Sequence, residues 1–118
     1  MSVLVFSTPK EPIIVGDTWD GFTMSYKIDG IPVNLTGATI RMRMVSDTGG
    51  EISISSTGGG FIFPSPETGE FSCVKKSRMD FPAGFYNGDL EITLSSGDRD
   101  TVLAVKMFLK DDVTKWLS

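Results

Sequence analysis

Apolar residues recur at every second position over most of this 118-residue chain, which is the spacing of β-strands and not of helices. The clearest case is the segment 38–45, in which Ala-Thr-Ile-Arg-Met-Arg-Met-Val alternates between apolar and mainly polar side chains. Such a strand turns one face to a core and the other to solvent, as strands of antiparallel sheets often do. The hydrophobic pattern therefore predicts an all-β protein.

Glycine, proline, serine and aspartate clusters divide the chain into segments of roughly ten residues. Asp29-Gly30 is a dipeptide that forms tight hairpin turns, and the loop 95–100 separates two long apolar alternations, 85–94 and 101–110. We predict that these two form the most secure hairpin, with a bulge at Gly88, and that 75–80 forms a single helical turn. In all, about seven to nine strands are expected, in an antiparallel sandwich or a small barrel.

The chain length corresponds to one domain, 1–118, large enough for a core of its own. Residues 1–15 form an apolar segment interrupted by prolines, which predicts an extended N-terminal arm. The arm either docks on its own sheet, which we favour, or adds a strand to a neighbouring subunit. The interface candidates are two groups of apolar residues, one in the arm and one at the C-terminus: Val3, Val5, Ile13, Trp116 and Leu117.

Charge and composition exclude several partners. The net charge is −4, and the basic residues form no block along the chain. The electrostatic field of the protein is therefore expected to repel a nucleic-acid backbone. No apolar run reaches transmembrane length, and the first residues lack the charged start of a signal peptide, so neither a membrane nor a standard leader is expected. Cys73 is the only cysteine, which excludes an intrachain disulfide and suggests synthesis in a reducing cytoplasm.

No residue pattern indicates catalysis. The chain has no histidine, which removes the usual general base and zinc ligand, and Cys73 lies in an alternating strand where a buried, inert thiol is expected. Asp98 with Asp100, and Glu67 with Glu70, are best interpreted as turn residues. We therefore expect no enzyme activity, no catalytic residues, no cofactor and no metal site. The aromatic residues are expected in the core, with a carbohydrate-binding platform as the alternative: Trp19, Phe22, Tyr26, Phe85 and Tyr86.

Five segments carry a resemblance to a known family: Gly16-Asp-Thr-Trp19, Asp29-Gly-Ile-Pro-Val-Asn-Leu-Thr-Gly-Ala-Thr-Ile-Arg-Met-Arg43, Gly69-Glu-Phe71, Pro82-Ala-Gly-Phe-Tyr-Asn-Gly-Asp-Leu-Glu-Ile92 and Asp112-Val-Thr114. They resemble a small immunoglobulin-like β-sandwich of tailed bacteriophages and prophages, similar to the N-terminal domain of phage baseplate upper proteins. An antibody-type domain itself is excluded, since no Cys…Trp…Cys spacing exists. The matching positions are scaffold features, so the resemblance transfers no functional residues.

The resemblance implies a virion structural protein, made in the host bacterial cytoplasm, that acts as an adaptor in the tail, the baseplate or fibre attachment. Its partners would be other virion proteins, with self-association as a further expectation. Capsid decoration, or binding of a host-surface glycan or protein, is the alternative. In the fused form the family module carries a receptor-binding region, whereas this sequence stops at Ser118. Any receptor-binding tip is therefore expected to be a separate protein.

Overall fold

A computed structural model describes residues 2–76 and 78–111 of the chain. The described part contains eleven strands and one short 3-10 helix, and no α-helix. The elements are β1 Ser2–Val5, β2 Ile13–Ile14, β3 Phe22–Ser25, β4 Lys27–Ile28, β5 Ile31–Pro32, β6 Thr39–Ser46, β7 Glu51–Ser55, β8 Phe61–Ser65, the 3-10 helix Pro66–Thr68, β9 Glu70–Cys73, β10 Gly84–Thr93 and β11 Arg99–Lys110. The all-β prediction is confirmed.

The strands form two main sheets and a separate hairpin. The large sheet has the order β1-β11-β10-β6-β7, with β2 also pairing β11, and the small sheet has the order β3-β9-β8. The hairpin is β4-β5, turned by Asp29 at φ 52° and Gly30 at φ 78°, the left-handed pair that a tight two-residue turn requires. The predicted hairpin of β10 and β11 is also present.

The large sheet is mixed, so the expectation of purely antiparallel pairing is wrong for one edge. Both β1 and β2 run parallel to β11 of the same chain, with Val5 opposite Lys106 and Ile13 opposite Leu109. The segment that was predicted as an arm thus lies on its own sheet, the first of the two arrangements considered. Parallel pairing is possible because β1 and β2 are far from β11 in the chain, whereas a short hairpin connection would make the pairing antiparallel.

Ser7 connects the two short edge strands. Its buried hydroxyl accepts a hydrogen bond from the Phe108 N–H at 2.7 Å and donates one to the Phe108 carbonyl at 2.8 Å. The backbone N–H and C=O of Phe108, which lies between the stretches paired with β1 and β2, are therefore satisfied by a side chain. This is how the edge of β11 stays covered while the loop with Pro9 and Pro12 leaves the sheet.

The core is one cluster to which both sheets contribute. Alternate residues of β6, β10 and β11 point inward from the large sheet, and the small sheet adds Phe61, Phe71 and Cys73. Neighbouring rings of an aromatic group at one edge have centroids between 5.0 and 6.4 Å apart: Phe6, Trp19, Phe22, Phe61 and Phe71. The fold is therefore sandwich-like.

Two local predictions are wrong. Gly88 does not mark a bulge, because β10 keeps one register from Tyr86 to Leu90, and the shift lies between Leu90 and Glu91. The segment 75–80 contains no helical turn in its described residues, since Lys76 instead forms an antiparallel bridge with Trp19. Tertiary contacts override local preference at both places.

Candidate functional interface

The outer face of the large sheet is the face that does not contribute to the core. On β11 the even-numbered residues 104–108 point to it, because Leu103, Val105, Met107 and Leu109 are buried. On β10 and β6 the odd-numbered residues share this face, since their even-numbered neighbours are buried or half-buried. On β1 the exposed residues are Val3 and Val5. The registers place all of these residues on one continuous surface.

Apolar side chains lie on the β1 side and at one corner of the outer face, with the exposed Lys106 between them. Phe85 is 58% exposed, and its ring centroid lies 4.6 Å from that of the half-buried Phe108 on the next strand. Val3 is 56% exposed and Val5 50% exposed; Val3 lies opposite Ala104, and Val5 lies opposite Lys106. We call these five apolar residues the apolar patch: Val3, Val5, Phe85, Ala104 and Phe108. A cluster of this kind on a solvent face is more informative than a single exposed apolar residue.

The middle of the outer face carries charges of both signs. Asp89 lies opposite Arg43, and Glu91 lies opposite Arg41, so acidic residues of β10 face basic residues of β6. Together with Val45, Asn87 and Gly88 these four residues line a shallow depression of about 380 Å³. Charged groups beside an apolar patch are well suited to orienting a protein partner, because they fix register more than they add affinity.

Two ion pairs hold the rim of this charged region. The Arg43 Nε donates to the Glu51 carboxylate at 2.5 Å, and the Arg99 Nε lies 3.5 Å from the Glu91 carboxylate. The hydrogen bond to Glu51, followed by the attraction of its charge, raises the pKa of Arg43. Both pairs are substantially exposed, so they order side chains and contribute little to stability.

The interface candidates from the sequence separate into three groups. Val3 and Val5 lie in the apolar patch, whereas Ile13 is partly buried and packs against the core. Trp116 and Leu117 fall outside the described residues. The structure therefore brings two of the five candidates together on one surface.

Phe85 is the member of the patch that sequence reasoning missed. It was expected in the core with the other aromatics, but it is exposed while the adjacent Tyr86 is buried and donates its hydroxyl to the Pro82 carbonyl at 2.6 Å. The alternation of β10 indicates this exposure, because Phe85 lies on the same face of the strand as the polar residues Asn87, Asp89 and Glu91. Trp19 is buried, as expected, and Phe22 and Tyr26 are partly buried.

The side chains that could perform chemistry are dispersed. Among residues 2–76 and 78–111 no group of three or more Cys, Asp and Glu residues could hold a metal ion. In the same part of the chain, each buried side-chain nitrogen or oxygen atom has a hydrogen-bond partner. No helix described here is long and apolar enough to cross a membrane.

Cys73 is buried on the core side of β9, and burial raises the pKa of its thiol from 9.0 to about 11, with a small opposing effect from Lys76. We expect its alkylation by iodoacetamide at pH 8 to be at least about 100-fold slower in the native protein than in urea, since the thiolate is the reactive form. Because the folded pKa is the higher one, stability should also fall as the pH rises from about 9 towards 11. Mass spectrometry measures the alkylation rates, and equal rates in the native protein and in urea would contradict the first of these two predictions.

Comparison of the chain with protein-family models, with curated proteins and with solved structures finds no significant match. The functional argument therefore depends on the surfaces of the molecule itself.

Proposed function

We propose that this chain is a structural protein of a tailed-bacteriophage virion that acts as an adaptor through protein-protein contacts. The single observation that supports a binding role is the apolar patch beside the charged centre of the outer face, where Phe85 and Val3 are each more than half exposed. An enzyme would need convergent groups in a pocket, and the described residues offer a shallow, charged depression on a sheet face instead. The virion assignment comes from the family resemblance.

The strand order supports the immunoglobulin-like part of this proposal. In immunoglobulin domains one sheet has the order G-F-C, extended by further strands in the variable type, and the other contains B, E and D. Here β11-β10-β6-β7 matches the first sheet and β3-β9-β8 matches the second. The parallel strand at the edge of β11 takes the position of a split first strand. We therefore propose an immunoglobulin-like sandwich whose outer G-F-C face is the binding surface.

The alternative role, a glycan-binding or capsid-decorating module, has less support. A glycan platform needs two or three exposed aromatic rings on one face. Within the described part of the outer face, Phe85 is exposed but Phe108, beside it on the next strand, is half-buried. The patch combines one well-exposed aromatic side chain with exposed aliphatic ones, a composition that suits a protein partner.

Quantitative mass spectrometry of purified particles tests the virion assignment. The particles would come from the phage or induced prophage that encodes the chain, and copy number would be measured against the major capsid protein. A low copy number that follows the tail proteins is the expected result. A high copy number that follows the capsid would replace the adaptor with decoration, and absence from the particle would overturn the structural role.

A surface variant tests the binding face. We expect the double substitution Val5→Asp with Phe85→Asp to lower incorporation into particles by at least about tenfold, because it replaces two exposed apolar side chains of the patch with charges. Thr23→Asp with Ile62→Asp is the matched double control, since both are exposed strand residues of the small sheet and both lie opposite the uncharged Ser72. Circular dichroism would check that both variants fold. Equal incorporation of both variants at the wild-type level would show that another surface binds the partner.

A further inference from the structure

The strand β1 forms one edge of the large sheet, and half of its backbone groups point away from that sheet. The Phe6 N–H donates to the Lys106 carbonyl at 2.8 Å, and in a parallel pair every second residue bonds to the same neighbour. Leu4 and Phe6 therefore turn their backbone groups towards β11, whereas the N–H and C=O of Val3 and Val5 point outward. Among the described residues, no hydrogen bond reaches these four outward groups.

The other sheet edges are less suited to pairing with a further strand. At β7 the Gly60 N–H of the same chain donates to the Ser55 carbonyl at 2.9 Å, so part of that edge is occupied. The strand β8 carries Pro64 and a register shift, both of which hinder pairing. The exposed side chains of β3 are the polar Thr23 and Ser25. At β1, in contrast, strand pairing would also bring exposed apolar side chains together.

The centre of β1 complements itself. Its sequence Val3-Leu4-Val5 is the same in both directions, so a second β1 that runs antiparallel to the first can be placed about a twofold axis at Leu4. Val3 of each copy then faces Val5 of the other copy. Both of these are hydrogen-bonded pairs, because the backbone groups of Val3 and Val5 are the ones that point outward. This register therefore satisfies all four outward groups of each copy.

The side chains at this edge favour the same arrangement. Val3 and Val5 are each at least half exposed, and in the paired strands they would lie side by side with the valines of the second copy on the outer face. Pairing would thus remove apolar surface from water. The segment from Ser2 to Phe6 contains no charged residue, so no like charges would meet across the new pair. The edge also lacks the lysine or proline that commonly protects an exposed strand from pairing.

We propose that β1 pairs antiparallel with β1 of a second copy of this chain, about a twofold axis at Leu4, and joins the two large sheets into one. The symmetry of the strand selects a second copy as the partner, because an isologous contact requires a surface that complements itself. The proposal does not depend on the virion role, but it would merge Val3, Val5 and Ala104 of two copies into one apolar surface. Because one edge contact buries little area, the dimer should dissociate in the range of roughly 10–100 μM.

Sedimentation velocity of the full chain, from roughly 5 to 500 μM, tests the dimer. We expect the mean mass to rise from 12.8 kDa towards twice that value. A wild type that stays monomeric over the whole range would overturn the proposal.

Two double variants test the register of the pairing. Val3→Glu with Val5→Glu places like charges directly opposite each other in both pairs, so association should weaken by at least about tenfold. Val3→Lys with Val5→Glu is the matched control, because it places opposite charges in the same pairs and should keep association near the wild-type level. Both variants put the same glutamate beside Lys106 of their own chain, and circular dichroism checks that both fold. Equal association of the two variants would contradict this register.

A cross-link gives a second measurement that does not depend on weak affinity. In a hydrogen-bonded antiparallel pair the two Cα atoms lie about 5.5 Å apart, within the range that a disulfide spans, whereas diagonal neighbours are about 7–8 Å apart. Mild oxidation of a mixture of the Val3→Cys and Val5→Cys chains should therefore give a covalent dimer, and each variant alone should give much less. The thiol of Cys73 is buried and present in every sample. Failure of the mixture to cross-link, or equal cross-linking of either variant alone, would count against pairing through β1.

Discussion

Replacing Gly88 with alanine is expected to lower the free energy of unfolding by at least about 3 kcal/mol, the largest effect we predict for a single substitution. Gly88 lies in the middle of β10, opposite Met44 of β6 and Val105 of β11. A Cβ added there would overlap the carbonyl group of Arg43 and the Cα of Met44, which are backbone atoms. Backbone atoms in a central pair of strands cannot move away without breaking the ladder.

Gly58→Ala is the matched control for this prediction. Gly58 lies in a turn, and an added Cβ would make an ordinary contact with the Ser55 hydroxyl at 3.4 Å. Its change in unfolding free energy should stay within about 0.5 kcal/mol. Urea unfolding followed by circular dichroism gives both values. A loss below about 1 kcal/mol for Gly88→Ala would mean that β6 and β10 can separate without cost, contrary to the packing described here.

Ser7→Ala is expected to cost about 2–4 kcal/mol, because it leaves both the N–H and the carbonyl of Phe108 without their partner in a buried setting. Most surface serines can be replaced with little effect, but Ser7 is 7% exposed and substitutes for a missing strand residue between β1 and β2. The removed atom is small, so the loss reports the hydrogen bonds more than the packing.

Two measurements separate this effect from general destabilisation. Urea unfolding should show the free-energy loss, with Ser25→Ala, an exposed serine, as a control that changes little. Native-state hydrogen exchange should show faster exchange at the Phe108 amide than at the amides of β10. We call the two hydrogen bonds between Ser7 and Phe108 the Ser7 clamp. If Ser7→Ala leaves stability unchanged and the Phe108 amide protected, water or another group replaces the hydroxyl, and the clamp does not stabilise the fold.

The Ser7 clamp also connects the fold with the proposed function. The strand that Ser7 secures, β1, supplies Val3 and Val5 to the apolar patch. Loss of the clamp should therefore loosen the edge of the binding face before it affects the charged centre on β6 and β10. A binding surface that is built partly from a short edge strand depends on that strand staying docked, since ordering it on binding would reduce affinity.

Alternation predicted the strands well where a strand has one buried face and one solvated face. The segment 38–45 is the example: Met42 and Met44 are fully buried, while Arg41 and Arg43 are exposed. Alternation was less useful where a glycine interrupts it. At Gly88 the missing side chain looked like a shift in phase, although the strand continues with Leu90 on the same face as Tyr86. A gap in a hydrophobic pattern does not distinguish a bulge from a close approach of two backbones.

The candidate interface was only partly predictable. The sequence identified Val3 and Val5 as apolar residues of the N-terminal segment, but it could not show whether they dock on this chain or on a neighbouring subunit. Phe85 was assigned to the core because aromatic residues usually are, although its parity placed it with polar neighbours. No local signal indicated Ser7, since a serine between two apolar segments has no distinguishing pattern.

The sequence by itself determined the all-β class, most strand positions and the hairpin turn at Asp29-Gly30, because these depend on side-chain periodicity and on local backbone preferences. Only the tertiary structure decided the parallel docking of β1 and β2, the bond from Ser7 to Phe108 and the joining of Val3, Val5 and Phe85 into one patch. These features link residues that lie roughly a hundred positions apart in the chain, as the separation of 101 between Ser7 and Phe108 shows. Periodicity reports which face of a strand is buried, but it contains no information on which strand lies beside it.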